Sequence, residues 1–447
     1  MTHAATFETT LAAGSAAGRQ VMVHEYGASC LQFDPSGSAA RPAALVVARP
    51  RCAASSRGAG PTPSRPRSAG RPTSGARTET QFGVTDWTGE LRPRGRVLAE
   101  LAATVRRLDL DGLAGFGPAA NAVVPVPHEF AHPYDAAAYG LADAPSGDYV
   151  PAEAAWNPER DALPLIAGLL NAFVLGVRAD LAPAFPRERL DGAWPDTRLV
   201  LLPAPLASTS NSLHHVRTAF WSGAEDHLAR GGTVYVACSA DVAIPEMAAI
   251  LGARVVDRAP AASPAVLRFT APWGPFGAGE VLPLPAGDGT LATRSAVLRA
   301  ADGSQVVAVD ANGDPALVVA RRGAGHAVVL AHPLELLLAR TPDAHRPDDR
   351  AWGVYAGLAA LAGVKLPVRA GHPDVTTGVL TGPSGGLATL TNHAPQPVRL
   401  RVAVPAEARR ATEVRPDAEA DLPIDDGAVA IDLEGYGATI VTWRHDA

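Results

Sequence analysis

The chain has 447 residues, 47% of them hydrophobic and 19% charged, with a formal net charge of −6. At about 100–200 residues per domain, that is two to four domains with ample apolar material for cores, which excludes general disorder. A mildly acidic net charge argues against nucleic acid as the main partner, and three widely spaced cysteines (Cys30, Cys52, Cys238) form neither a disulfide framework nor a zinc pattern.

Residues 1–20 are small and weakly helical. They lack a charged segment followed by an apolar run, so no secretory leader is expected and a cytoplasmic location is. Val21 to Val23 read as the end of a buried strand, with His24 and Glu25 where it stops and Gly27 opening a turn. Residues 41–78 hold eight arginines, no acid and no aromatic residue, and their second half is Pro, Ser, Gly and Arg without apolar periodicity. A disordered basic linker is the plain reading of that composition. Phe82, Val84 and Trp87 suggest a strand end and loop. From Arg94 onward, Val97, Leu98, Leu101, Val105 and Leu108 recur at helical spacing.

Residues 121–256 alternate between strands and helices. NAVVPVP, RLVLLPAP, TVYVACS and ARVV read as strands. The helices expected between them are one through LPLIAGLLNAFVLGV, with Asn157 and Pro158 at its start, one over about 212–230 ending at Gly231-Gly232, and IPEMAAILG. Short apolar strands alternating with helices predict a parallel sheet covered on both faces, in a flavodoxin-like layout. The longest near-apolar stretch, Leu163 to Val177, is interrupted by Asn171 and is too short to span a bilayer, so no membrane partner is expected. From about 263 the period changes to two, with Asp-Gly and Gly-Ala-Gly turns between strands. A helix follows at about 348–363, and the strands from 374 to 443 predict a small all-β domain.

Few residues carry a chemical signal. A carboxylate at the carboxyl end of a buried strand is where a (β/α)8 barrel places catalytic groups, which singles out Glu25; a solvated or capping glutamate is the competing reading. Cys238 follows a strand as a nucleophile would, yet Ala237-Cys238-Ser239-Ala240 lacks the glycines of a sharp elbow, so a buried small hydrophobe is the better reading. His128, His132, His214 and His215 do not have zinc-ligand spacing, and neither a metal nor a cofactor is expected. Trp87, Trp156, Trp194, Trp221 and Trp273 could stack on sugars, with core packing as the default.

Taken in order, the segments resemble one family. HEYGAS resembles the nucleophile strand of retaining glycoside hydrolases with a (β/α)8 barrel, the clan that includes families 5 and 42, where a glutamate is followed by an aromatic residue and glycine. TQFGVTDWTGELRPRGRVLAELA resembles the end of such a barrel with its eighth helix. NAVVPVP onward resembles the β-galactosidase trimerisation domain, PALVVARRGAGHAVVLAHPLELLLA its end, and HPDVTTGVL…LATLTNHAPQPVRLRV the small β domain that closes family 42 chains. The resemblance implies Glu25 as the nucleophile, a carbohydrate substrate in the parent family and trimer-like self-association. Such a barrel needs about 250 residues, whereas only 24 precede Glu25, without the fourth strand that would carry the acid/base glutamate. The arginine-rich stretch replaces the barrel's last helix–strand pair, as a frame disruption between about Pro35 and Thr80 would do; a true linker is the alternative.

The expected organisation is α/β. A barrel remnant at 1–35 is followed by a linker or frame-disrupted stretch at 36–79 and the barrel end with its last helix at 80–118. A flavodoxin-like domain with a β extension then occupies 119–366, and a C-terminal β-sandwich 367–447. Two functional readings stand side by side: the C-terminal portion of a β-galactosidase-like hydrolase, inactive alone, and a non-catalytic oligomerisation module with a β-sandwich appendage. A third, an amidotransferase-like hydrolase using Cys238, is an outsider.

Overall fold

A computed structural model describes residues 89–91, 93–108, 113, 116–126, 163–186, 194, 197–204, 206, 218–240, 249–260, 263–287, 293–339, 341, 344–346 and 348–445. The described residues form two compact units, one within 120–365 and one joining those up to 119 with those from 366 onward. The expected strand end at 21–23, Glu25 and the segment 36–79 lie outside them.

The chain enters through helix α1 (Pro93–Arg107). Proline suits the first turn, where its missing N–H has no partner to lose, and Arg106 and Arg107 complement the dipole in the last turn. A two-residue strand β1 (Gly117–Pro118) follows and pairs with a strand near the C-terminus.

The unit within 120–365 is built on β2 (Ala122–Val123), β3 (Pro183–Ala184), β4 (Leu199–Leu202), β5 (Thr233–Ala237), β6 (Ala253–Arg258), β7 (Val266–Phe269), β8 (Val281–Pro283), β9 (Ala296–Ala300), β10 (Gln305–Val309), β11 (Pro315–Arg322) and β12 (Gly325–Leu330). Nine of these form one sheet, in the order β3-β2-β4-β5-β12-β11-β10-β7-β8. The pairs from β3 to β12 are parallel and those from β12 to β8 antiparallel. Numbered by their own succession, the five parallel strands run 2-1-3-4-5, the flavodoxin-like order. LVLL and TVYVA are almost entirely hydrophobic and wholly buried, as strands covered on both faces must be. The β11–β12 hairpin turns through Gly323 at φ 59°, where an added Cβ would lie 2.7 Å from Ala229 Cα.

Its helices are α2 (Leu163–Arg178), α3 (Thr218–Ser222), α4 (Ala224–Ala229), α5 (Leu334–Ala339) and α6 (Trp352–Ala362). α2 packs against α5 and α6, and α4 against β5 and β12. α6 stops at Gly363 in the left-handed conformation, a common glycine C-cap.

Two expectations are corrected. The described part of the 212–230 helix is two short helices broken at Gly223, not one. The ARVV strand does not extend the parallel sheet: β6 pairs antiparallel with β9, apart from the nine strands, with a register shift between Val255 and Asp257. Its residues after Ala253 are largely exposed, which a strand inside a two-sided parallel sheet cannot be.

The other unit adds β13 (Val375–Gly382), β14 (Gly385–Asn392), β15 (Val398–Ala403), β16 (Arg410–Val414), β17 (Glu419–Leu422), β18 (Ala428–Leu433) and β19 (Ala438–Arg444) to α1 and β1. Six strands form one antiparallel sheet, β1-β13-β14-β19-β16-β17, and β15 and β18 form a second. Between them lies a core that includes Val402, Ile431, Leu390 and Trp443. The opposite face of the large sheet carries a smaller cluster, in which Leu108, Leu113 and Phe116 cover Leu380, Leu387, Val414 and Ile440. All eight residues of β14 are therefore buried. Gly386 makes room for the indole of Trp443 opposite it, since a Cβ there would come within 2.0 Å of the ring.

Candidate functional site

Glu25, with His24, Tyr26 and Gly27, lies outside the described residues, as do His128, His132, His214, His215, Trp87 and Trp156. The structure does place the residues at the carboxyl ends of the parallel strands, where open α/β sheets bind their ligands. There the chain after β5 presents Cys238, and the chain after β12 presents His332 and, one turn on, Glu335.

Cys238 is fully buried, and its N–H donates to the Leu330 carbonyl at 2.8 Å, continuing the β5–β12 pairing by one residue. The His332 ring is clamped from both sides: Nε2 lies 3.1 Å from the Val266 carbonyl and Nδ1 2.6 Å from Ser295 Oγ. A carbonyl only accepts, so Nε2 carries the proton and Ser295 donates its hydroxyl to Nδ1. Burial holds the imidazole down at about 4, hence neutral.

Glu335 stands in the first turn of α5 and is wholly buried. Its Oε1 accepts from Tyr355 Oη at 2.8 Å and from Tyr235 Oη at 3.1 Å, and its Oε2 accepts from the Ala204 N–H at 3.2 Å. Burial pushes this carboxyl up to about 7, against the lowering effect of its donors. Its signal in the sequence is a single acid inside the leucine run of LELLLA.

A cysteine nucleophile needs a base within hydrogen-bond reach and an acid to orient that base. Here both nitrogens of His332 are spent on Ser295 and Val266, and the Glu335 oxygens on two tyrosines and a backbone amide. These groups stitch the sheet edge to α5 and α6, and the amidotransferase-like reading is set aside.

Of the candidate tryptophans, the three that are described are also committed to packing. Trp221 is fully buried, and Trp273 donates from Nε1 to the Val354 carbonyl at 3.0 Å. Trp194 stacks on Phe220 and His227. In the sandwich unit, a cleft of about 500 Å³ carries Glu100, Glu413, Asp432 and Glu434 on its walls. Glu413 accepts from Thr439 Oγ1 at 2.8 Å and pairs with Arg415 at 2.7 Å. Among the described residues, no group of three or more His, Cys, Asp or Glu is arranged to hold a metal, and no helix is long and apolar enough to cross a membrane.

The fold resembles those of β-galactosidases. The structure of a β-galactosidase from Bacillus circulans sp. alkalophilus matches with a TM-score of 0.54 and 15% identity, over 81% of this chain and 47% of that one. A cold-adapted β-galactosidase from Rahnella sp. R3 matches with a TM-score of 0.53 and 16% identity, over 81% and 46%. A catalytic mutant of a GH42 β-galactosidase from G. stearothermophilus matches with a TM-score of 0.50 and 14% identity, again over 81% and 46%. The chain thus spans about half the length of these structures, and the likeness at such identities is one of fold. No protein-family model matches the sequence, and no curated protein sequence does.

Proposed function

We propose that these residues are the C-terminal portion of a β-galactosidase-like retaining glycoside hydrolase: a barrel remnant carrying Glu25, a trimerisation-like sheet domain and a closing β-sandwich. The observation that supports this reading most is the match of 81% of the chain to half of each β-galactosidase. It comes together with the order in which HEYGAS, the barrel-end segment and NAVVPVP follow one another.

On this reading the chain acts on carbohydrate only as part of the parent enzyme, in the cytoplasm and as a trimer-like assembly. In the retaining mechanism a carboxylate attacks the anomeric carbon while a second carboxyl, about 5–5.5 Å away, protonates the leaving oxygen. Glu25 supplies the first, and none of the 447 residues is assigned to the second. The 447-residue polypeptide is therefore expected to hydrolyse aryl β-galactosides no faster than buffer does. Turnover that vanishes in Glu25→Gln would show a complete site and overturn the proposal of an incomplete one.

A second reading is favoured by one observation. Leu108, Leu113 and Phe116, expected at a barrel's end, pack on the C-terminal sheet, as in a free-standing, non-catalytic module for oligomerisation. The nucleotide sequence upstream of Met1 and across codons 35–80 separates the two. A frame there encoding barrel strands, one ending in Asn-Glu, supports the broken hydrolase; its absence supports the module.

A further inference from the structure

The large sheet of the sandwich unit carries a cluster that neither functional reading uses. β16 and β19 are antiparallel neighbours, with Arg410 opposite Arg444 and Thr412 opposite Thr442. Like charges directly opposite on one face destabilise a sheet unless something neutralises them. Arg410 is neutralised by Asp421 on β17, at 2.8 Å. The Arg444 guanidinium makes no hydrogen bond or ion pair with any described residue, and the side chain is exposed.

The two arginines border a cleft of about 350 Å³, whose rim adds Arg107, Thr412, Thr442 and Ser384. Its floor includes the apolar side chains of Leu108, Leu113 and Phe116, which already cover the neighbouring part of the sheet. Arg107 points Nε and Nη2 at the carbonyls of Pro416 and Asp417, at 3.1 and 2.7 Å, which fixes its positive charge at the cleft without cancelling it. One carboxylate, Glu419, also lines the cleft. With Arg410 paired, two uncompensated cations face one anion, so the cleft is positive. Its volume lies at the small end of ligand pockets, enough for one small molecule. The hydroxyls of Thr412 and Thr442 make only long hydrogen bonds, of 3.3 and 3.5 Å, and are available to a better partner.

We propose that this cleft binds the oxyanion of a small hydroxylated ligand, a carboxylate or phosphate ester on a single sugar-sized molecule. Arg444 holds the oxyanion, and Thr412, Thr442 and Ser384 meet the ligand's hydroxyls. An arginine fork is the side chain best matched to a planar carboxylate or a phosphate. The site does not depend on Glu25 and stands whichever reading of the whole chain is right.

The test is isothermal titration of the full 447-residue chain with glucuronate, glucose 6-phosphate, glucose and inorganic phosphate. Saturable binding of glucuronate or glucose 6-phosphate is expected, at least tenfold tighter than glucose and weakening as salt is raised. Arg444→Ala should weaken it at least tenfold with the melting temperature unchanged, since the side chain supports nothing. Thr412→Val should weaken the anionic sugars and leave inorganic phosphate unaffected. The site is overturned if neither anionic sugar binds, or if Arg444→Ala binds as well as the parent. Glucose binding as tightly as glucuronate overturns the anion assignment, and phosphate binding as tightly as glucose 6-phosphate overturns the hydroxyl contacts.

Discussion

The Tyr355 hydroxyl donates to Glu335 Oε1 at 2.8 Å, and Tyr235 donates to the same oxygen at 3.1 Å, so one buried carboxyl ties α5 to α6 and β5. The two tyrosine rings meet edge to face, with centroids 5.6 Å apart. Nothing in this cluster is open to solvent, so its consequence is stability. Glu335→Ala would leave two phenols and the Ala204 N–H buried without their acceptor. It should cost about 3 kcal/mol in chemical denaturation. Glu335→Gln keeps an acceptor for the tyrosines and removes the ionisable group, and should cost about 1 kcal/mol or less. An alanine variant as stable as the parent would show that the cluster contributes nothing.

The same carboxyl sets a pH dependence. Its folded pKa of about 7 lies above the ordinary glutamate value of 4.5, so the folded state keeps a proton that the unfolded state loses. Its contribution is full below about 4.5 and is lost as pH rises to about 7. Burial acts oppositely on His227, His332 and His345, each held down at about 4. Their contribution is present above the ordinary histidine value of 6.5 and is lost as pH falls toward 4. Three groups outweigh one, so the melting temperature should rise from pH 4 to about 6.5. In paired melts, the advantage of the parent over Glu335→Gln should shrink between pH 5 and 7; a constant difference would contradict the raised carboxyl.

Gly357 sits inside α6, where alanine is ordinarily better by about 1 kcal/mol. Here a Cβ would lie 2.2 Å from the Trp273 Nε1, and that indole is anchored to the Val354 carbonyl of the same helix. Overpacking of this kind costs about 1–3 kcal/mol, so the clash outweighs the propensity. Gly357→Ala should therefore destabilise the protein. In a Trp273→Ala background the same change should be neutral or stabilising. A loss of equal size in both backgrounds would place the cause elsewhere than the indole.

Assembly is the last expectation. The family resemblance places the contact in the 121–256 sheet domain, around a threefold axis, with Val97, Leu101 and Val105 of the helix beside it in need of cover. Leu108, at the end of that helix, is buried against the large sheet, and Leu101 and Val105 are half-buried. Val256 and Val281, each more than 40% exposed, lie on β6 and on edge strand β8 and give the sheet unit apolar surface of its own. Sedimentation at micromolar concentration should show self-association. A single monomer species over a hundredfold dilution would remove the assembly proposal.

Much of the architecture was legible in the residues themselves. LVLL, TVYVA and GHAVVL are strands because runs of apolar and β-branched residues suit a sheet buried on both faces, and the turn at Gly323 marks where two period-two strands reverse. Cys238 as a buried small residue was legible from the missing glycines around it. What the sequence could not show is which surface covers which. A periodic pattern says that one face is apolar and is silent about its partner, so β6 leaving the parallel sheet for β9 was hidden in ARVV. The contacts that matter most join residues far apart in the chain: Tyr235 and Glu335 are 100 positions apart, and Arg410 meets Arg444 only through the register of β16 on β19. Composition and period determined the elements, and tertiary packing decided which charges were buried, paired or left facing a cleft.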